Sequence, residues 1–400
     1  MMVLPETHIN QLLSEYPECM EFLWPFRRAI GQHVTVEKLA DQYYFPVDTF
    51  VSGLNGLVKR VEMNPCNYQT IKRRVVRKNT VNMAGFVTFT WQRQFEEELM
   101  HFAKEQKIKL NLNIFLKPGK GAFQNYLSRC ESPDHLPDIL LGKGFSSLMT
   151  RQFVDKYLRS GIYQMVIDVP YHPSVAATSL FDPEHHYHTF GVNEFLMVYD
   201  KTKECPAGKP KSWSDLLLPE YKGMITQMGK NMCDHFGFVL LFYLYHIFGE
   251  DCIRSYVSNV KSKQHFSQMI RNMAAGHPDA APINALHGFT TTFIRSDARP
   301  FVEIINPLDG NPVVSHFFLI KHNASNEAIE MARHLFSSQI GEILEKGGTI
   351  HLSPTSSLAE GKRLRWIGWD AVKNAPLPYL KEYLGQVAAK IYQETEINNR

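Results

Sequence analysis

The sequence predicts an α/β protein with a parallel sheet, preceded by a small all-α unit. From Met83 onward, strand-like segments such as "AGFVTFT", "IKLNLNIFL" and "PDILLG" alternate with amphipathic segments of helical length. This alternation is typical of βαβ units. Before residue 63 the apolar residues recur at helical spacing instead. A chain of 400 residues is long enough for two or three domains.

The first 62 residues are predicted to form a separate helical unit. Pro17 ends one helical segment, Thr35 is placed to cap a second, and Pro46 begins a third. Residues 63–82 are polar and basic and are predicted to form a linker. The α/β domain is predicted over residues 83–400, with a last amphipathic helix over about 377–396.

Composition is that of an ordinary globular protein, with 44% hydrophobic and 21% charged residues. A net charge of +3 gives no reason to expect a nucleic-acid partner. The basic stretch "IKRRVVRK" suits nucleic acid, anionic lipid, an edge strand or a solvated connector. The longest apolar run, from Phe236 to Gly249, is shorter than the ~20 residues of a membrane span, so it predicts a buried helix.

Two features predict a cytoplasmic protein. The stretch "MMVLPETHIN" lacks the basic, apolar and small-residue regions of an export signal. The six cysteines are scattered without short paired spacing, which favours free thiols in a reducing compartment.

The stretch "PKSWSDLLLPEYKGMI" resembles a signature of family-1 extracellular solute-binding proteins of ABC importers. The resemblance continues in "INPLDGNPVVSHFFLI" and the helical segment after it, and covers about residues 83–370. It implies a two-lobed type II periplasmic-binding-protein-like fold with hinge strands, which closes on a ligand in the cleft. The expected function is a solute-binding protein for sensing, buffering or delivery.

The N-terminal unit resembles a DUF1858-type helical domain. The resemblance lies in "INQLLSEYPECMEFL" and "VTVEKLADQYYFPVDTFVSGLN". That family usually carries a cysteine pair between its first two helices, whereas this chain has "WPFRRAIGQH" there. The absence of that pair favours an interaction role, with a possible protein partner bound through this unit.

The fold also indicates where a ligand would lie. In a doubly wound sheet, ligands bind outside the carboxyl ends of the strands, where helix N-termini favour an anion. Loops at those positions, the start of the hinge strand and a further loop of the second lobe supply the candidates. The candidate residues are Thr90, Trp91, Lys117, Lys120, Gly142, Lys143, Gly144, Asn193, Gly229, Lys230, Asn284 and His287.

Lysines in three of these loops predict a small anionic ligand, although surface loops often contain lysine. Ferric-binding members of the family commonly use an adjacent tyrosine pair, but the Tyr43-Tyr44 pair lies in the N-terminal unit. A borderline metal at His185, His186 and His188 competes with a solvated loop. No metal site and no cofactor is therefore expected.

Two alternatives stay open at this point. A metal-handling accessory protein or an enzyme would use Cys233, His235 and His287 in the same cleft. A scaffold protein would leave the cleft empty. No familiar catalytic motif is present, so enzymatic activity is not expected.

Overall fold

The structure is a computed structural model of the chain. It describes residues 1–65, 67–115, 119–176, 178–229, 231–233, 235–356 and 361–398, without the side chains of residues 119, 120, 174, 176, 235 and 398. The strands are β1 Val81–Gly85, β2 Leu110–Ile114, β3 Ile139–Lys143, β4 His188–Asp200, β5 Ile225–Met228, β6 Val260–Gln264, β7 Ile283–His287, β8 Val302–Ile305, β9 Asn311–Ile320, β10 Ile350–His351 and β11 Leu364–Arg365.

Helices occupy both ends of the chain and the connections between strands. The α-helices are α1 Ile9–Glu15, α2 Met20–Leu23, α3 Val36–Gln42, α4 Val47–Met63, α5 Tyr68–Val75, α6 Gln92–Glu105, α7 Gly119–Arg129, α8 Arg151–Phe153, α9 Pro173–Ala176, α10 His235–Phe248, α11 Asp251–Asn259, α12 Phe266–Asn272, α13 Asn326–His334, α14 Ser338–Lys346, α15 Trp369–Asn374 and α16 Leu377–Asn398.

The strand order β2-β1-β3-β9-β4-β7-β5-β6 defines two lobes. In lobe 1, β1 pairs in parallel with β2 and β3. In lobe 2, β5 pairs in parallel with β6 and β7. The long antiparallel strands β4 and β9 join them, because β4 pairs with β9 along its first half and with β7 along its second. The predicted two-lobed α/β fold with hinge strands is thus confirmed.

Apolar side chains hold each lobe together. The apolar residues of α6, α13 and α14 pack on one face of β1 and β3 in lobe 1. Helix α10 is the apolar run predicted to be buried, and its Leu240, Leu241 and Leu244 are at most 1% exposed. At about 25 cal/mol per Å² of buried apolar surface, helices of this kind supply much of the stability of a lobe.

The N-terminal helices form a small core of their own, which the C-terminal helix completes. Phe22 and Phe50 pack edge to face at 5.3 Å between ring centroids. Tyr379 of α16 lies against the same rings, 6.1 Å from Phe22 and 5.7 Å from Phe50. The first and last helices of the chain therefore share one apolar cluster.

The stretch predicted as a linker contains helix α5. Ile71 and Val75 point inward from this helix and are buried. The Arg74 guanidinium donates from Nε to Asn113 Oδ1 at 2.8 Å. The backbone carbonyl of Arg74 accepts from the side-chain amide of Asn111 at 3.0 Å. The segment is therefore a helix rather than an edge strand, and Arg74 ties it to β2. The basic side chains of Arg73, Arg74, Arg77 and Lys78 are exposed, as expected for a solvated connector.

Candidate ligand-binding cleft

A small cavity lies where the two lobes meet the hinge strands, and we call it the hinge cavity. Its volume is about 40 Å³. Residues after β1 and at the end of β3 form the wall from lobe 1, and α10 with the end of β7 forms the opposite wall. The cavity is lined by Thr88, Phe89, Lys143 and Gly144 from lobe 1, by Phe236, Val239, His287 and Phe289 from lobe 2, and by Asn193, Val314 and His316 from the hinge strands.

A chain of hydrogen bonds fixes the polar side of the hinge cavity. The Trp91 indole donates to Thr349 Oγ1 at 2.9 Å, and Thr349 donates to Asn193 Oδ1 at 2.8 Å. The Asn193 amide lies 2.9 Å from His316 Nε2, and Thr88 Oγ1 lies 3.3 Å from the same nitrogen. These hydrogen bonds link the side chains in series, so the polar wall of the hinge cavity is held in one arrangement.

Lys143 brings a positive charge into this network. It is the last residue of β3 and pairs with His316 across the β3–β9 ladder. Its ammonium lies 3.5 Å from Thr88 Oγ1. Among the described residues that line the hinge cavity, Lys143 is the one cation and none is a carboxylate.

Two buried imidazoles adjoin this charge and are neutral. Burial, and then the Lys143 charge, lowers the pKa of His287 from 6.5 to about 3. Burial, then Lys143, then His287 lowers the pKa of His316 well below its usual value. The Nδ1 atoms of both rings are buried without a hydrogen-bond partner among the described residues. Each neutral imidazole has one N–H donor and one acceptor nitrogen.

Aromatic rings close the other side of the hinge cavity. The Phe289 centroid lies 5.8 Å from that of Phe89, a lobe 1 residue that is half-exposed. Phe89 also lies 6.4 Å from Phe266 of lobe 2. The Phe236 ring packs edge to face on His287 at 5.0 Å. Phe89 therefore bridges the two lobes at the mouth of the cleft.

Several residues predicted from sequence meet at this site. Lys143, Gly144, Asn193 and His287 all line the hinge cavity. Trp91 stands behind Asn193 and supports it through Thr349.

Other predicted residues lie elsewhere. Thr90 donates to the Gly347 carbonyl at 2.9 Å, behind the wall. Gly142 is inside β3, where an added Cβ would come within 2.3 Å of the Phe317 ring. Asn284 is at the far end of β7 and its amide bonds the Val198 carbonyl. Gly229 lies in a separate surface depression beside His265. Gly142, Asn284 and Gly229 therefore do not line the hinge cavity, and their part in ligand binding stays a prediction.

Three predicted residues cannot be placed at the site. Lys117 and Lys230 lie outside the described residues, and so does the side chain of Lys120. The convergence of three loop lysines therefore stays a prediction, with Lys143 the member that the structure positions.

Sequence reasoning missed Thr88 and His316. Thr88 follows a strand that ends at Gly85, two residues before the loop that was predicted to bind. His316 lies inside β9, and only the strand register shows that it faces Lys143. Alternation along "PVVSHFFLI" is the signal that could have assigned His316 to one face of the sheet.

The Cys/His alternative is not assembled around the hinge cavity. Cys233 lies away from it, with Sγ bonded to the Lys381 carbonyl at 3.3 Å, and the side chain of His235 is outside the described residues. His186 lies beside Lys373, and His188 stacks on Phe318. In the described part of the chain, no three His, Cys, Asp or Glu side chains are grouped to hold a metal ion.

The fold and the cavity between its lobes define a solute-binding protein of the two-lobed α/β class. Residues 134–375 match the family described as "Bacterial extracellular solute-binding protein", and the chain belongs to that family. The family is one of solute-binding proteins rather than enzymes. The match begins at residue 134, so the DUF1858-type resemblance of the N-terminal unit stays a prediction. No curated protein sequence matches the chain.

Solved structures share the fold at low sequence identity. "Apo FutA2 from Synechocystis PCC6803" aligns with a TM-score of 0.53 at 15% identity, over 80% of this chain and 99% of that one. "Bordetella ferric binding protein" gives 0.53 at 16% identity, over 78% and 98%. "Trichodesmium (IdiA) (FutA) in complex with iron and citrate ligands" gives 0.51 at 18% identity, over 78% and 98%.

Family membership corrects one expectation. The prediction of a cytoplasmic protein is wrong, because the family that the chain belongs to is extracellular. Within the described residues, no helix combines the length and apolar character needed to cross a bilayer.

Proposed function

We propose that this solute-binding protein closes its two lobes on a small oxyanion in the hinge cavity, with Lys143 as the charge that selects it. The observation that carries the proposal is the charge of the wall. The Lys143 ammonium lies 3.5 Å from the Thr88 hydroxyl and beside the neutral imidazoles of His287 and His316. A charged hydrogen bond in such an enclosed site is about twice as strong as a neutral one.

The neighbours of Lys143 supply the directional contacts. The Thr88 hydroxyl and the Asn193 amide belong to the network beside it, and His287 faces it from lobe 2. An anion bound to Lys143 and His287 would touch both lobes at once. Since a ligand shifts a conformational equilibrium only by its differential affinity, such shared contacts favour the closed form.

The size of the hinge cavity limits the ligand. The volume of about 40 Å³ has room for only a few atoms. The part of the ligand inside the cavity is therefore a small group such as a carboxylate or a phosphate. The rings of Phe89 and Phe289 would pack against an apolar part of the ligand.

Iron, which the titles of two of the three structural neighbours above mention, is a weaker candidate here. A cation in the hinge cavity would meet the charge of Lys143. The described lining residues include no tyrosine and no carboxylate to neutralise it.

Titration of the full-length protein with inorganic phosphate, sulfate and acetate, followed by calorimetry, tests the proposal. We expect at least one of these anions to bind. Lys143→Met should weaken that binding by more than tenfold, because removing one partner of a buried charged contact costs about 2–5 kcal/mol. Lys346→Met is the control, since that side chain is 79% exposed on α14.

Unchanged anion affinity in Lys143→Met would contradict the proposal, as would the absence of binding by all three anions. Comparing the native and denatured masses of the purified protein would identify a retained ligand. An excess mass that matches iron would favour the metal instead.

A further inference from the structure

A second and larger cavity lies beneath the N-terminal helices, and we call it the roofed cavity. Its volume is about 630 Å³, within the ~300–1,000 Å³ of small-molecule sites. Helix α4 contributes Gly53, Gly56, Leu57 and Arg60, which share one face because they follow helical spacing. The remaining walls come from α2, α7 and α16, from the loop after β3, and from the start of α10 with the residues before it.

The roofed cavity is distinct from the hinge cavity. Phe145 lines the roofed cavity, whereas its neighbour Gly144 lines the hinge cavity. The Phe145 ring reaches across to lobe 2, where it packs on Phe238 at 5.9 Å and on Phe242 at 5.2 Å. This aromatic contact separates the two spaces.

Gly56 leaves room that packing does not explain. A glycine inside a helix is less stabilising than an alanine. At Gly53 the cost has a packing reason, since an added Cβ would lie 2.4 Å from the Phe22 ring. At Gly56 an added Cβ would meet no atom within 4 Å. Gly56 lines the roofed cavity and is exposed, so a larger side chain has room at this position.

Two donor groups of the roofed cavity have unused hydrogen-bonding capacity. Ser146 lines the cavity, and its hydroxyl oxygen is buried without a hydrogen-bond partner among the described residues. The Lys381 ammonium has no carboxylate partner there either.

The carboxylates of the roofed cavity are already bonded. Glu21 accepts from Arg60 and from Ser128. Glu382 accepts from the Ser52 hydroxyl and from the Gln386 amide. The buried Ser146 hydroxyl and the Lys381 ammonium are donors that suit a carboxylate.

An apolar surface lies alongside these donors. Phe22, Leu57, Phe145 and Phe238 all line the roofed cavity. We propose that the roofed cavity is a second ligand site, which binds an organic carboxylate by its charged end at Ser146 and Lys381 and by an apolar body along these side chains.

Calorimetric titration of the full-length protein with hexanoate tests this site. Wild type should bind hexanoate. Gly56→Leu should weaken binding at least tenfold because its side chain occupies the cavity, whereas Gly56→Ala, which adds one methyl group to the same helix, should leave the affinity within about twofold. Melting temperatures of both variants report whether they fold.

A second variant tests the charged end without touching the roof. Lys381 is exposed, so Lys381→Met keeps the fold and should also weaken hexanoate binding. Hexylamine, with the same apolar body and the opposite charge, should bind no variant tightly. Lys143→Met should weaken phosphate binding and leave hexanoate binding unchanged. This difference distinguishes this proposal from the one for the hinge cavity. No hexanoate binding by wild type, or equal binding by Gly56→Leu, would overturn the proposal.

Discussion

Buried histidines are the residues whose chemistry depends most on their surroundings in this protein. His188 is completely buried, stacks on Phe318 at 4.6 Å, and has both ring nitrogens without a partner among the described residues. Burial lowers its pKa from 6.5 to about 3. Between pH 6.5 and about pH 3, the folded state therefore binds fewer protons at His188 than the unfolded state does.

The sign of the resulting pH dependence follows from linkage. Stability from a neutral His188 is fully present above pH 6.5 and is lost as the pH falls towards 3. Each pH unit crossed in this window removes about 1.4 kcal/mol from the free energy of unfolding.

We predict that His188→Phe flattens the fall in stability at acid pH. The phenyl ring preserves the stack on Phe318 and has no nitrogen to protonate. Urea denaturation of wild type and variant between pH 7 and pH 4.5 measures the difference. The same slope in both proteins would show that His188 does not carry the effect.

At this scale the sequence predicted part of the site. The end of a recognisable strand pointed to Lys143, Gly144 and His287. The predicted start of the hinge strand pointed to Asn193. His316 could not be predicted, since its role depends on the register of β9 against β3, and register is set by pairing between distant segments. Asn284 was misplaced for a related reason: the strand continues to His287, so Asn284 lies at the opposite end.

A buried ion cluster joins α15 to the segment that leads into β4. Lys373 of α15 is 1% exposed, and its ammonium lies 2.5 Å from Asp182 Oδ1 and 2.8 Å from Glu184 Oε2. The second carboxylate oxygen of Asp182 accepts from the backbone N–H groups of His186 and Tyr187. This cluster shapes the chain immediately before the hinge strand.

We predict that Lys373→Met destabilises the protein by about 3–5 kcal/mol, because it leaves the Asp182 charge buried without its partner. The double variant Lys373→Met/Asp182→Asn should recover much of this loss, since no uncompensated charge remains. Chemical denaturation of the three proteins measures both effects. Additive losses in the double variant would contradict the pairing.

Elements were predictable where the apolar pattern was strong. Helices α10 and α16 appear where their periodicity places them, at His235–Phe248 and Leu377–Asn398. Helix α5 was missed because its sequence is mostly polar or basic and only Ile71 and Val75 are buried. Strand β4 begins at His188, earlier than expected, because the histidine-rich stretch before it resembles a loop.

The whole molecule is tied together by contact between its two ends. Tyr379 is 2% exposed and lies 4.4 Å from Phe45 between ring centroids. Thr49 donates to Gln386 Oε1 at 2.8 Å, and α16 also packs on α10 and α11 of lobe 2. The N-terminal unit therefore depends on α16 for part of its core.

We predict that Tyr379→Ala loosens the N-terminal unit selectively. Removing a large buried aromatic costs about 3–5 kcal/mol. Hydrogen exchange should become faster in α1, α3 and α4 than in lobe 1. Leu384→Ala is the matched control, because Leu384 is a buried residue of α16 that packs in the core of the lobes instead. Equal protection of the N-terminal helices in both variants would contradict this dependence.

At the scale of the whole molecule, the two-lobed fold could be predicted from the alternation of strands and helices together with the family resemblance. Location was predicted wrongly because it was argued from the first residues and the cysteine spacing, neither of which determines the fold or the family. The roofed cavity could not be foreseen, since it requires α4 and α16, more than 300 residues apart, to face one another.

The hinge strands also constrain the order in which the chain can fold. Strand β3 is complete at Lys143, but its antiparallel neighbour β9 starts at Asn311, after almost all of lobe 2 has been synthesised. Pairings between such distant segments form slowly. Until β9 arrives, one edge of β3 has unpaired N–H and C=O groups, which are a template for association with other strands. A chain interrupted before residue 311 would therefore be prone to aggregate, and protection by a chaperone would matter most during that interval of synthesis.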